Sequence, residues 1–422
     1  MGMRQRWGGT SGLPKRPVAH HSIVSWGKDQ VRASVVLLAK GAAELVGVAA
    51  TSIQGISGPG RPDVDHWAAS CEEALSLAEE MTRSSCGRKL VPDYVTMGVP
   101  PEITRSISIV ASSQRRSAGR GVTFDELRGL VRRGYRKAQD RIRTRAGSAT
   151  QDLIYGSLAE IALDGEIVAD PSGLRGERLE LRMSFCLAPL EWIRALEMVA
   201  ERLELELTAI VPEHVGYASA LPQPRALLVL LGDHHTCISM VRHGRLQWTT
   251  SADMGEREII CGAAAALDMR ESQADALMQA YRARQLRPSV ELRLARAFWE
   301  ELRRWMTALA QAIKSAATKG PMPHHVFFLD GTRRIREAIQ SLETPFWEQS
   351  LPFDRCPEII PLGVDTVRNV LDSTAQASTL TYLAVRGLAH YVADVFAPGR
   401  ELDRAMMANV RRRRHRAFTR YR

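Results

Sequence analysis

The chain has no CxxC pair, no apolar run long enough to cross a bilayer, and no acidic residue near either end. Each absence removes a class. Six cysteines, at positions 71, 86, 186, 237, 261 and 356 of 422 residues, form neither a disulfide framework nor a zinc ribbon and read as reduced thiols filling a core. The adjacent pairs His20/His21, His234/His235 and His324/His325 project differently from a strand or helix, which argues against a shared metal; no metal site is expected. The longest apolar stretches, Ala226–Leu231 and Ile259–Leu267, fall far short of the ~20 residues of a spanning helix. The N-terminus is basic but lacks an apolar h-region, so a cytoplasmic protein is expected.

What is present belongs to an ordinary globular chain, with 45% hydrophobic and 25% charged residues. At about 150 residues per domain, the length suggests two or three domains. The net charge of +10 is concentrated at the ends: four basic residues lie in 1–20 and seven arginines in 410–422, leaving 46 basic against 47 acidic side chains between them. The folded middle is close to neutral.

Short β-type runs at Ser22–Ser25, Arg32–Leu38 and Glu44–Ala49 predict three successive strands. A Gly/Pro loop leads to an amphipathic helix over His66–Arg83 and a strand at Tyr94–Val99. The next block differs. A strand over Ile103–Ala111 precedes Thr123-x-x-Glu126, a capping box, and the helix it opens carries an Arg-rich face from Arg132 to Arg143. Strands at Asp152–Ile154, Ala159–Leu163 and Arg178–Phe185 complete a small inserted module over 101–186. A helix over 189–204 and a strand at Glu206–Val211 follow. Then the opening pattern returns: strands Ala226–Leu231, Thr236–Val241 and Leu246–Thr250, followed by helices at Glu256–Leu267, Gln273–Ala283 and Val290–Thr318. A strand at Val326–Leu329, a helix at Arg334–Leu342 and a last helix near Ser378–Phe396 close the folded part.

Two lobes, each opening with a hairpin and third strand and continuing into helices, resemble the actin-like α/β fold of ribonuclease H-like lobes. The segment Asp170-Pro-Ser-Gly-Leu-Arg-Gly-Glu-Arg-Leu-Glu180 resembles the end of the inserted subdomain in the FtsA family of bacterial cell-division proteins. Further features follow the family's order: Ile56-Ser-Gly-Pro-Gly60 with Asp65, Thr123–Leu130, Met254–Ile259, Gln273-Ala-Asp275 and Ala384–Gly387. The resemblance implies an actin-like two-lobe fold with an inserted α+β subdomain in the first lobe. Its expected divisions are a basic arm (1–21), first lobe (22–100), inserted subdomain (101–186), return to the first lobe (187–222), second lobe (223–377), closing helix (378–397) and Arg-rich tail (398–422).

The likeness breaks at the phosphate loops. Ser25-Trp-Gly27-Lys28-Asp29 stands where the family has an acid-led loop, and Leu230-Leu-Gly232-Asp233-His-His-Thr236 lacks both flanking acids and two glycines of the second. The lysine expected to line the base pocket falls on Met278. Phosphoryl transfer needs Mg²⁺ and electrostatic stabilisation of spread negative charge, so hydrolysis is not expected. If ATP and Mg²⁺ binding is retained, the resemblance places it on Gly27, Lys28 and Asp29 of the first loop and Gly232, Asp233 and Thr236 of the second. Gly255, Asp275, Asp330 and Gly331 would complete that site.

The tail after Pro398-Gly399 projects as a helix with Met406, Val410, Phe418 and Tyr421 on one side. With Arg411, Arg412, Arg413 and Arg414 it resembles in position the amphipathic membrane helix of FtsA relatives, and about 1 kcal/mol per basic residue at an anionic leaflet supports attachment there. A solvated, inert tail is the second reading of the same charges, and nucleic acid the third. The leading expectation is an FtsA-like cell-division scaffold at the cytoplasmic face of the membrane. It would bind the C-terminal tail of FtsZ and self-associate into filaments, without hydrolysing ATP. The alternatives are an active nucleotide-switched ATPase and a PilM-like pilus-assembly adaptor.

Overall fold

A computed structural model describes residues 20–27, 29–39, 41–53, 63–144, 150–317, 320–330, 335, 337–397 and 400–418. The chain opens with an antiparallel meander, β1 (His20–Trp26), β2 (Gln30–Ala39) and β3 (Ala42–Ser52). Helix α1 (Val64–Cys86) crosses over to β4 (Tyr94–Val99), which lies parallel to β1. Local chemistry fixes both ends of α1. Asp63 accepts from the N–H groups of Asp65 and His66, and Gly87, at φ 72°, ends the helix in the left-handed region.

The inserted module follows as β5 (Arg105–Gln114), α2 (Phe124–Thr144), β6 (Gln151–Leu163), β7 (Glu166–Ile167) and β8 (Arg178–Pro189). Its sheet order is β5-β8-β6-β7. The capping box is formed as the sequence predicts: Thr123 N–H donates to Glu126 Oε2 at 2.8 Å, and Glu126 N–H to Thr123 Oγ1 at 3.4 Å. The two short strands expected at 152–154 and 159–163 are one strand, β6, with irregular register beside Leu153/Tyr155 and Leu158/Glu160.

The chain returns through α3 (Leu190–Arg202) to β9 (Glu206–Pro212), parallel to β4, and then α4 (Glu213–Ala220). The second meander is β10 (Arg225–Leu231), β11 (Thr236–Arg242) and β12 (Arg245–Ala252). Helices α5 (Glu256–Ala265), α6 (Glu271–Arg282) and α7 (Pro288–Ala316) precede β13 (His325–Asp330). Short helices α8 (Glu337–Leu342) and α9 (Pro345–Ser350) then lead to β14 (Glu358–Pro361). Strand β15 (Val370–Asp372) rejoins the first sheet beside β3, α10 (Leu383–Phe396) packs on the first lobe, and α11 (Glu401–Phe418) packs on the inserted module.

The duplication is visible in the strand orders. The first sheet reads β15-β3-β2-β1-β4-β9 and the second β12-β11-β10-β13-β14, so a meander followed by two parallel strands occurs in both. Strand β10 is buried from Ala226 to Leu231, as its unbroken apolar run requires at the centre of a covered sheet. Helices α4 and α10 meet backbone to backbone at Gly216 and Gly387. A Cβ on Gly216 would lie 2.8 Å from the Gly387 carbonyl carbon, and one on Gly387 3.0 Å from that of Gly216.

Candidate functional site

The two meanders carry equivalent turns. Gly27 N–H donates to the Gln30 carbonyl at 2.9 Å, and Gly232 N–H to the His235 carbonyl at 3.0 Å. Each glycine thus opens a four-residue turn between the first two strands of its lobe, and these turns are where an actin-like fold would hold phosphates through backbone N–H groups.

At the first turn the Arg32 guanidinium lies against Gly27. Ser25 Oγ donates to Glu213 Oε1 at 2.6 Å, and Glu213, at the start of α4, also receives the Tyr217 hydroxyl at 3.5 Å. Burial pushes the Glu213 carboxyl above its ordinary pKa, while the charge of Arg32 works against that rise and the charge of Glu102 adds to it. Asp29 is exposed and holds Ile53 N–H through its backbone carbonyl. Lys28 lies outside the described residues.

At the second turn the donors are engaged from within. Asp233 N–H donates to Glu102 Oε1 at 2.7 Å, a carboxylate that reaches over from the short turn Pro101–Ile103 after β4. Gly255 N–H donates to Glu258 Oε2 at 2.9 Å, and Glu258 Oε1 lies 3.0 Å from His234 Nδ1. The next two N–H groups, of Glu256 and Arg257, bond the carbonyls of Gly232 and Asp233. Thr236 is buried; its hydroxyl donates to the Met254 carbonyl and accepts from Trp305 Nε1, both at 2.8 Å. Its expected place on a phosphate is therefore corrected to one in the core.

Asp330 pairs in register with Leu231, which sets it next to the second turn. Gly255 packs so closely on Asp233 that a Cβ there would strike the Asp233 backbone. Gly232, Asp233, Gly255 and Asp330 are thus brought together, with Gly27 and Asp29 on the other lobe. Met278 is buried in the second core. Gly331 and the Asp275 side chain lie outside the described residues. Among the described residues, no group of three or more His, Cys, Asp or Glu is arranged to hold a metal ion.

Sequence reading missed Arg32, Glu102, Glu213 and Glu258. Glu258 had a local signal, standing three residues after the glycine that opens α5. Glu102 had none, because its partner is 131 residues away.

Neither a protein-family model nor a curated protein matches the chain. Solved structures do. A chain of a PilM-PilN type IV pilus biogenesis complex superposes with a TM-score of 0.56 at 11% identity, over 88% of this chain and 98% of that one. This chain has the actin-like fold. The ethanolamine utilization protein EutJ from Carboxydothermus hydrogenoformans gives a TM-score of 0.43 at 12% identity, covering 89% of this chain and 92% of that one. At such identities the likeness is one of fold alone.

The end of the chain differs from the tail expected of it. Met406 and Val410 are 1% exposed, inside the core of the inserted module with Leu130, Leu158 and Phe185. They are not a face for lipid, a correction with a simple cause: each gains about 1.5–3 kcal/mol by burial against protein. Asp403 clips the helix down, accepting from Arg245 at 2.8 Å, while Arg400, 3.6 Å from Asp403, reaches Asp394 at 2.8 Å. The side chains of Arg411, Arg412, Arg413, Arg414 and Phe418, and all of Tyr421, lie outside the described residues. Among those described, no helix is long and apolar enough to cross a membrane.

Proposed function

We propose that this chain is a non-hydrolysing actin-fold scaffold serving a membrane-associated protein assembly. One observation carries the reading: the Glu102 carboxylate occupies the Asp233 N–H, where an anion would bind, while the neighbouring donors are spent on Glu258 and on the turn's own carbonyls. A triphosphate would have to displace a charge-assisted bond at the second turn, with the buried Glu213 carboxyl standing at the first. The test is thermal unfolding with ATP and Mg²⁺. At a concentration 100 times its dissociation constant a ligand stabilises by about 2.7 kcal/mol; the expected result is no rise in Tm at millimolar ATP, and a saturable rise at micromolar ATP would overturn the proposal.

The partner class follows from two likenesses. The superposed PilM chain was solved in a complex with PilN, which supports an adaptor that holds a partner protein. The Asp170–Glu180 segment supports the finer FtsA-like reading, a division scaffold at the cytoplasmic membrane face that binds the FtsZ C-terminal tail and self-associates. Calorimetry with an FtsZ tail peptide separates the two: saturable binding supports the division scaffold, and its absence at high micromolar peptide leaves the PilM-like adaptor.

A further inference from the structure

The outer side of the inserted module carries charge that neither turn uses. The buried face of α2 is Leu127, Leu130, Val131 and Ala138. Arg133, Lys137 and Arg141, each one turn on, donate to the carbonyls of Ser112, Val110 and Ser108 at 2.7, 3.1 and 3.4 Å. These three cations satisfy the open edge of β5 and protect it from pairing with another strand. Arg132, Arg136 and Arg143 remain, all exposed, and at 100° per residue they project together away from the sheet. Helix α11 packs against α2 and β6 and carries the sequence run Arg411–Arg414.

A second feature stands at the N-terminal mouth of the same helix. The loop of the Asp170–Glu180 segment is firmly tied: Ser172 N–H donates to Asp170 Oδ1 at 2.8 Å, Val122 N–H to the Leu174 carbonyl at 2.8 Å, and Glu177 N–H to Asp164 Oδ1 at 2.9 Å. Yet the side chain at its tip, Leu174, is 44% exposed, as is Phe124 (42%) at the start of α2. Arg128 stands 5.8 Å over the Phe124 ring. A leucine and a phenylalanine held out on fixed backbone, at the mouth of a helix with a cationic face, are the components of an interfacial membrane contact.

We propose that this face of the inserted module rests on an anionic lipid surface. Arg132, Arg136 and Arg143 meet the headgroups, with Phe124 and Leu174 entering the boundary beneath them. The inference rests on the membrane-associated part of the proposed function and relocates the contact. With Met406 and Val410 buried, attachment is by charge and two apolar tips rather than by insertion of the tail helix. The exposed Phe and Leu favour lipid over nucleic acid, whose phosphate backbone offers apolar side chains no partner.

The test is co-sedimentation of the full chain with vesicles of phosphatidylcholine alone or with about 30% phosphatidylserine, with a 20-base-pair duplex DNA as competitor. The wild type is expected to pellet only with anionic vesicles and to come off as salt rises from about 50 to about 500 mM. The Arg132→Glu/Arg136→Glu/Arg143→Glu variant should lose at least about tenfold in partitioning at unchanged Tm, with Arg132→Gln/Arg136→Gln as the milder form should the triple reversal unfold. Phe124→Ser with Leu174→Ser should lose about threefold. Failure of the wild type to pellet, undiminished pelleting of the folded charge variant, or complete displacement by the duplex would each overturn the proposal. Undiminished pelleting of the folded charge variant would sink only this placement of the contact, whereas failure of the wild type to pellet would also remove the membrane-associated part of the proposed function.

Discussion

The turns at Gly27 and Gly232 close with the same hydrogen bond, yet what stands behind them is unlike. Behind Gly27 is the far end of a flexible side chain, Arg32; behind Gly232 are the Glu102 carboxylate and the His235 backbone carbonyl, and behind Gly255, which backs that turn, is the Asp233 backbone. One turn is cushioned and the other walled. A duplicated motif can therefore keep its main-chain geometry in both lobes while only one retains room to change. The second turn also spends its donors internally, and the first is bordered by the buried pair Ser25 and Glu213.

The largest effect should come from breaking the wall. Gly255→Val forces the Asp233 backbone to move and should cost at least about 3 kcal/mol, whereas Gly27→Ala displaces only the Arg32 tip and should cost under about 1 kcal/mol. Denaturant unfolding of both variants measures the contrast, and equal losses would break it.

Acid should next separate the lobes. In the first-lobe core, burial lowers His21 to a pKa of about 3 and His214 to about 4, from 6.5. His21 Nε2 is bonded to Thr96 Oγ1 at 2.9 Å, and its buried Nδ1 has no hydrogen-bond partner among the described residues, as suits a neutral ring. The unfolded chain takes up protons below about pH 6.5 and the folded chain does not until much lower, so stability is complete above that pH and falls on acidification. At pH 5 the loss should be about 2 kcal/mol per histidine. Tm measured from pH 7.5 to 5 checks this, and the decline should be shallower in His21→Gln.

A smaller effect should attend the clip on α11. Asp403→Asn keeps the shape and removes the charge facing Arg245 and Arg400, and should cost about 1–2 kcal/mol. Hydrogen exchange should show faster opening in α11 than in either sheet.

Much of the fold was legible because it depends on local pattern. Each strand of the two meanders, the Thr123/Glu126 capping box and the apolar run of β10 announces itself within about ten residues. The glycines of both turns were legible for the same reason. What could not be read was set by distance along the chain: Glu102 on Asp233, Trp305 on Thr236, and Met406 and Val410 in a core formed by residues 107–187. The amphipathic pattern of the tail was real, but periodicity states only that an apolar face exists. Whether it meets lipid or protein depends on the surface the fold sets beside it.

The most direct test of the occupied second turn is calorimetric titration of ATP with Mg²⁺ into the wild type and Glu102→Ala, side by side. With Glu102 on the Asp233 N–H, the wild type should give no binding heat at millimolar nucleotide, and any weak binding should emerge only in the variant. Micromolar binding by the wild type, unchanged or weakened in Glu102→Ala, would contradict the account.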